Sequence, residues 1–91
     1  MGFELVSMTR EVARNETASV TIRTVPAGSC DIVYITPAGT PSNASGLDHL
    51  QAGEDGLCTW SWVIGPSTIP GTGTITIVAN GVTRNESIQI E

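Results

Sequence analysis

Apolar and polar residues alternate along most of this chain, and this period of two is the strongest constraint on its fold. The clearest example is the segment 17–24, in which every second residue is apolar: Ala18, Val20 and Ile22. Successive side chains of a β-strand point to opposite faces, so the pattern predicts half-buried strands. Apolar residues keep helical spacing nowhere for more than one turn, and Thr, Ile and Val make up close to a third of the chain. A helical bundle or coiled coil is therefore excluded.

Turn residues divide the alternating segments into separate strands. The predicted strands are 3–8, 17–24, 29–36, 57–64, 74–79 and a last one in two pieces, 82–83 and 87–90. Asn80-Gly81 predicts a two-residue hairpin turn. A short strand over 47–51 would break up an otherwise unusually long loop, 37–56. The mixed-charge segment 10–16 is predicted to be a solvated connection.

The number and spacing of these strands predict an all-β fold. The optional strand 47–51 brings the count to seven, and turns separate strands about every 8–14 residues. We therefore predict a seven-stranded antiparallel Ig-like β-sandwich, with a five- or six-stranded barrel as the alternative.

Size and charge narrow the functional class. The chain has 91 residues, which is one domain, and we expect residues 1–91 to be a module excised from a longer protein. It has four Arg and no Lys, with a net charge of −5, so it lacks the basic face that binds nucleic acid. No segment approaches the roughly 20 apolar residues that span a membrane.

The segment from Asn15 to Gly81 resembles the Ig-like β-sandwich modules of bacterial cell-surface and secreted proteins. The matching features are turn and core motifs: Val25-Pro26-Ala27-Gly28, Ser29-Cys30, Gly46-Leu47, Asp55-Gly56, Trp60-Ser61-Trp62 and the run from Ile69 to Ile75. One departure is Gly73, where similar modules often have an aromatic residue. The resemblance implies an extracellular or cell-envelope location and a role as a spacer or presenting domain.

Cys30 and Cys58 each open a predicted strand and point inward in our face assignment. If the strand 47–51 forms, the two cysteine strands run in the same direction and both residues lie at one end of the sandwich. The sheets are about 10 Å apart, a gap that a disulfide bridges where they converge. Two separate buried thiols are the alternative, and they follow if that strand is missing.

Trp60 and Trp62 lie two residues apart, so they share one face of their strand. Pointing inward, they would form the core with Tyr34, and Cys58 and Ile64 on the same face favour this interpretation. Pointing outward, they would offer a platform on which a sugar ring stacks. We predict structural roles for Cys30, Cys58, Trp60, Trp62 and Tyr34.

Four polar residues of the long loop and its exit are the candidate ligand-binding residues: Asp48, His49, Glu54 and Asp55. His49 and Asp48 with Ser42 and Ser45 contain the residue types of a hydrolase triad, but no oxyanion-hole feature accompanies them. The acids could supply oxygens to Ca²⁺, yet the loop pattern of a calcium site is absent. We therefore predict no catalytic residue, no metal site and no cofactor.

These observations favour a non-catalytic spacer or presentation module of an extracellular or cell-envelope protein, whose partners are neighbouring domains of its parent chain. An odd number of strands would also let the two termini leave at opposite ends. The alternative is an adhesion module that binds carbohydrate or protein through the 37–56 loop or a sheet edge.

Overall fold

The computed structural model describes residues 3–42 and 46–91, and this part of the chain is folded entirely as strands, turns and loops. Eight strands are present: β1 (Glu4–Met8), β2 (Glu11–Val12), β3 (Thr17–Arg23), β4 (Ser29–Ile35), β5 (Leu50–Gln51), β6 (Leu57–Val63), β7 (Gly71–Ala79) and β8 (Val82–Ile90). β1, β3, β4 and β6 follow the predicted strands closely, and β2 is an addition.

The strands form two sheets. One has three antiparallel strands in the order β1-β3-β6, and the other has five in the order β2-β8-β7-β4-β5. All pairs of the larger sheet are antiparallel except β2 with β8, which is parallel. The all-β, two-sheet prediction is confirmed, whereas the prediction of seven strands in a purely antiparallel arrangement is wrong.

Strand β2 is the reason for both errors. The segment 10–16 was predicted to be a solvated connection, but Val12 is only 5% exposed. The Gln89 amide donates to the Arg10 carbonyl at 2.8 Å, and the Glu91 amide donates to the Val12 carbonyl at 3.0 Å. A strand of two residues is too short to show an alternation of apolar and polar residues. A single valine among charged residues also gives no reason to predict a buried segment.

The last two strands are longer than predicted, and β5 is shorter. β7 begins at Gly71, and β8 continues through the polar residues 83–87 without a break. All nine residues of β8 are paired with β7. This pairing stabilises as a strand a polar stretch whose composition alone does not favour one. β5 keeps two of the five residues predicted for it and pairs with the start of β4.

The core lies between the sheets and contains the inward residues of every long strand. Its largest fully buried side chains are Trp60, Trp62, Ile22, Ile64, Ile75, Ile77, Ile88 and Ile90. No described residue of this core is charged.

Gly73 lies beneath the ring of Tyr34. A Cβ at Gly73 would lie 2.9 Å from Tyr34 Cε1 and 2.9 Å from the Ile35 carbonyl oxygen. The tyrosine from β4 therefore occupies the space that a side chain at position 73 would need.

The first and last strands begin and end at opposite ends of the sandwich. Glu4 pairs with Arg23, at the end that also contains Cys30 and Cys58. Ile90 lies at the far end of β8, nine residues from the turn that joins β7 to β8. The molecule is elongated, with extents of 37 × 19 × 18 Å.

Two glycines with nearly the same positive φ provide a test of the packing. Gly56 has φ of 76° and Gly81 has φ of 75°. A Cβ at Gly56 would lie 2.2 Å from the Thr24 carbonyl oxygen, whereas a Cβ at Gly81 would meet nothing within 4 Å. We expect Gly81→Ala to lower the free energy of unfolding by about 1–2 kcal/mol, the left-handed conformational cost alone.

Gly56→Ala adds a backbone clash, so we expect it to cost at least about 2 kcal/mol more than Gly81→Ala. Urea unfolding of both variants measures the difference. Equal losses would show that Gly56 and Thr24 are not in close contact.

Candidate functional site

A disulfide joins the two sheets at one end of the sandwich. Cys30 of β4 and Cys58 of β6 are bonded, with their Cα atoms 6.6 Å apart and both residues at most 2% exposed. β5 forms and reverses the chain between β4 and β6, which is the condition on which the predicted pairing depended. The disulfide prediction is confirmed, and the alternative of two free thiols is wrong.

Trp60 and Trp62 both lie in the core, each 1% exposed, so neither ring is available on the surface as a sugar platform. The Trp60 indole Nε1 donates to the Asp48 carbonyl oxygen at 2.8 Å. Trp62 packs against Tyr34 with ring centroids 5.7 Å apart and a 38° tilt. Trp60 thereby fastens the segment before β5 to the smaller sheet, and Trp62 links the two sheets.

Two polar atoms of the aromatic cluster have no hydrogen-bond partner among the described residues: Tyr34 Oη and Trp62 Nε1. Burial raises the pKa of the Tyr34 phenol. The phenol therefore stays neutral at physiological pH, which suits a ring whose role is packing.

The structure divides the candidate ligand residues between two places. Asp48 and His49 lie in the segment before β5, and Glu54 and Asp55 lie in the turn before β6. His49 Nδ1 is 2.7 Å from Oδ1 of Asp31, which lies on the exposed face of β4. Asp55 accepts a hydrogen bond from the Leu57 amide at 3.1 Å, which is turn chemistry. Their use in ligand binding stays a prediction.

The observed contacts favour neither a catalytic triad nor a metal centre. The acid beside His49 is Asp31, not Asp48, and Ser45 lies outside the described residues. Within residues 3–42 and 46–91, no three His, Cys, Asp or Glu side chains are placed to hold a metal ion. The same part of the chain contains no helix long and apolar enough to cross a membrane.

A shallow cleft lies between the loop that follows β4 and the loop that precedes β7. Its volume is about 230 Å³, and it is lined by Thr36, Ala38, Thr40, Ser67, Thr68 and Ile69. None of these side chains titrates, and none is a predicted ligand residue. Ligand pockets usually measure about 300–1,000 Å³, so the cleft is small for one.

A charged cluster that the sequence did not predict lies beside β8. Glu86 accepts from Arg10 Nη1 at 2.8 Å and from Arg84 Nε, and its side chain is 15% exposed. The Arg10 guanidinium first, and Arg84 second, lower the pKa of the Glu86 carboxyl. The spacing of Arg84 and Glu86 on one strand face indicates their pairing, but the contribution of Arg10 depends on β2, which was not predicted.

Comparison with solved structures shows what fold this is. The chain is similar to domains 4 and 5 of the S-layer protein SbsC, with 16% identity and a TM-score of 0.68 over 99% of this chain and 51% of that one. It is similar to a β-glucosidase from Listeria innocua, with 9% identity and a TM-score of 0.57 over 97% of this chain and 15% of that one.

A third similar structure is a family 123 glycoside hydrolase from Clostridium perfringens, at 10% identity and a TM-score of 0.50, over 99% of this chain and 27% of that one. No family model and no curated protein matches. The chain spans about half or less of each of these structures, and such low identities show the fold alone. It is an all-β, two-sheet fold that also occurs as one part of larger multidomain proteins.

Removal of the disulfide tests its contribution to stability. Cys30 and Cys58 close a loop with a sequence separation of 28 residues. We expect the double variant Cys30→Ala/Cys58→Ala to lose about 3–4 kcal/mol of unfolding free energy, because its unfolded chain is no longer cross-linked. Urea unfolding measures the loss, and unchanged stability would show that the bond is absent or redundant.

The two tryptophans form a matched pair for substitution. Trp60→Phe removes an indole donor that holds the Asp48 carbonyl, whereas Trp62→Phe removes one with no partner among the described residues. Both shrink the core, so we expect Trp60→Phe to cost about 1 kcal/mol more than Trp62→Phe. Amide exchange at His49 and Leu50 should accelerate only in Trp60→Phe. Equal acceleration in both variants would contradict the tether.

The lowered pKa of Glu86 predicts how the free energy of unfolding depends on pH. A carboxyl whose folded pKa lies below its unfolded value stabilises the protein above the unfolded pKa, and this contribution is lost as the pH falls through the folded pKa. We expect Glu86→Gln to remove a contribution of at most about 1 kcal/mol at pH 7, with little effect at pH 2.

Titration of the Glu86 carboxyl by NMR provides the direct readout. Arg10→Gln should raise the Glu86 pKa towards the ordinary value, because the largest cause of the shift is then missing. A Glu86 pKa that does not respond to Arg10→Gln would contradict the contact.

Proposed function

We propose that this chain is a non-catalytic, Ig-like spacer or presentation module of an extracellular or cell-envelope protein. The observation that carries the proposal is the position of Glu4 and Ile90 at opposite ends of a sandwich 37 Å long. A module with this geometry separates whatever precedes it from whatever follows it.

The Ig-like part of the proposal is supported by how the first strands cross between the sheets. β1 lies in the smaller sheet and β2 in the larger one, where it pairs parallel to the last strand, β8. An inter-sheet disulfide beside a buried tryptophan is a further feature of immunoglobulin sandwiches. Here the bond joins β4 to β6, and Trp60 lies two residues beyond Cys58.

The non-catalytic part is supported by where the reactive residue types lie. Both cysteines are in the disulfide, and the one histidine is exposed and paired with Asp31. The cleft of about 230 Å³ is lined by hydroxyl and apolar side chains, which include no general acid or base.

The extracellular part is supported by two independent observations. Structural disulfides persist mainly in oxidising compartments, and the Cys30–Cys58 bond is buried in the core. The chain also shares its fold with parts of an S-layer protein and of glycoside hydrolases. The proposed partners are therefore neighbouring domains, and a protein or glycan at the cell surface is the rival.

Chains that contain one, two and three copies joined in series test the spacer geometry. Each added copy should lengthen the maximum dimension measured by small-angle X-ray scattering by about the 37 Å of the long axis. The same chains with Cys30→Ala/Cys58→Ala in each copy are the control, because they show how far the measured dimension depends on the stability of the domains. Copies that fold back on one another, with no such increment, would contradict the proposal.

A glycan array and a protein pull-down with the single domain test the rival. Specific binding that is lost in Asp48→Asn, His49→Ala and Glu54→Gln variants would establish an adhesion module that uses the 37–56 segment. Binding to none of the targets supports the spacer.

A further inference from the structure

We propose that Asn15 is the site at which this domain accepts an N-linked oligosaccharide, and that folding withdraws a second candidate, Asn85, from the same reaction. Three of the four asparagines of the chain form a sequon, an asparagine two residues before a Ser or Thr with no proline between: Asn15, Asn43 and Asn85. Ser and Thr fill 20 of the 91 positions, so chance predicts about one sequon among four asparagines. Asn43 lies outside the described residues, so the structure compares the other two.

The sequon Asn15-Glu16-Thr17 lies where the turn after β2 enters β3, and all three of its residues are exposed. Asn15 has φ of 71°, a left-handed conformation that asparagine tolerates in turns. The Asn15 amide donates to the Ile64 carbonyl at 2.8 Å, and the Ala13 amide donates to Glu16 Oε1 at 2.9 Å. These bonds hold the turn without using the Asn15 side-chain amide or the Thr17 hydroxyl, the two groups that define the sequon.

The sequon Asn85-Glu86-Ser87 lies instead in the middle of a paired strand. All three of its residues pair with β7. Asn85 Oδ1 accepts from Thr76 Oγ1 at 2.7 Å, and Glu86 accepts from Arg10 at 2.8 Å. An enzyme whose active site surrounds the acceptor segment must first detach it from β7 and break these contacts. The fold therefore leaves Asn15 accessible and protects Asn85.

The reaction needs a sugar donor and no redox partner. The donor class is an oligosaccharide bonded through C1 to a lipid pyrophosphate. Asn15 Nδ2 attacks C1, the bond between C1 and the pyrophosphate oxygen breaks, and the lipid pyrophosphate leaves with that electron pair. Nδ2 loses one proton, so the product is a neutral N-glycosyl amide.

The modified residue lies at the end of the sandwich from which the last strand leaves. Thr17 pairs with Val63, at the end opposite the disulfide, and Ile90 pairs with Gly71 at that same end. An oligosaccharide on Asn15 therefore stands beside the exit of β8. This inference rests on the extracellular location proposed above, because N-linked glycans belong to secreted proteins.

Transfer in vitro tests the site on the folded domain. The oxidised Asn43→Gln chain is incubated with a purified single-subunit oligosaccharyltransferase and a lipid-linked oligosaccharide. Intact mass and peptide mapping then locate the added sugar. Transfer to Asn15 should be at least about tenfold faster than transfer to Asn85, because only molecules in which β8 has opened locally can react at Asn85.

Variants of the hydroxyl residue separate the sequon from the asparagine alone. Thr17→Val leaves Asn15 in place but removes the hydroxyl, so it should not be modified. Thr17→Ser keeps the hydroxyl and should be modified like the parent. Ser87→Ala, a matched loss of the hydroxyl at the other sequon, should leave transfer to Asn15 unchanged. Circular dichroism confirms that each variant is folded.

Two synthetic peptides separate the effect of the fold from that of the sequence. Peptides of residues 11–20 and 81–90 contain the two sequons without the sheet, and both should be modified. A folded domain that stays unmodified while peptide 11–20 reacts overturns the proposal, and so does failure of that peptide. Equal transfer to Asn15 and Asn85 in the folded domain, or failure of peptide 81–90, would show that folding does not select between the sites.

These outcomes do not depend on the spacer geometry, so a failure here leaves the scattering prediction standing. Peptide mapping of the domain secreted by the cells that produce it completes the test. An oligosaccharide on Asn15 with Asn85 unmodified establishes the site, and an unmodified Asn15 overturns the proposal.

Discussion

The apolar layer between the two sheets is the constraint on which the rest of this structure depends. A domain of 91 residues buries a limited core. Trp60 and Trp62 supply the two largest fully buried side chains of that core. The Cys30–Cys58 bond joins the sheets at one end, and at the other end the chain crosses from β1 in the smaller sheet to β2 in the larger one. The two tryptophans and the two cysteines therefore have structural roles, because they hold the two sheets together.

Because the tryptophans and cysteines lie in the core, they are not available for binding or chemistry at the surface. The tryptophans are unavailable for stacking on sugars, and the cysteines are unavailable as nucleophiles. The surface that is left includes the His49–Asp31 pair, the charged cluster around Glu86 and several exposed aliphatic side chains such as Val63 and Ile69. The proposed function therefore rests on the dimensions of the domain rather than on a pocket.

The alternating pattern was enough to predict β3, β4 and β6 and their inward faces, because period two is a direct consequence of strand geometry. The turn at Asn80-Gly81 was predictable because a two-residue hairpin turn depends on its own two residues. Asn80 has the positive φ that this turn requires. The inter-sheet disulfide followed from strand direction once a strand was allowed over 47–51. These features depend on residues that are close in sequence or on simple topology.

Features that depend on distant pairing were not predictable. β2 is recognisable only from its hydrogen bonds to Gln89 and Glu91 at the other end of the chain. The Arg10–Glu86 ion pair joins residues 76 positions apart and follows from β2. The candidate ligand residues lie in one polar segment of the sequence. In the structure, however, the acid that His49 contacts is Asp31, which lies on a neighbouring strand.

Pulling a single molecule by its two ends tests most directly whether the domain is a spacer with its sheets joined. The oxidised domain should unfold in one step, with an extension roughly 100 Å shorter than that of the reduced domain. The difference arises because the disulfide keeps the chain segment from Cys30 to Cys58, a sequence separation of 28, from extending at about 3.6 Å per residue. Equal extensions in the two redox states, or gradual unfolding at low force, would contradict this account.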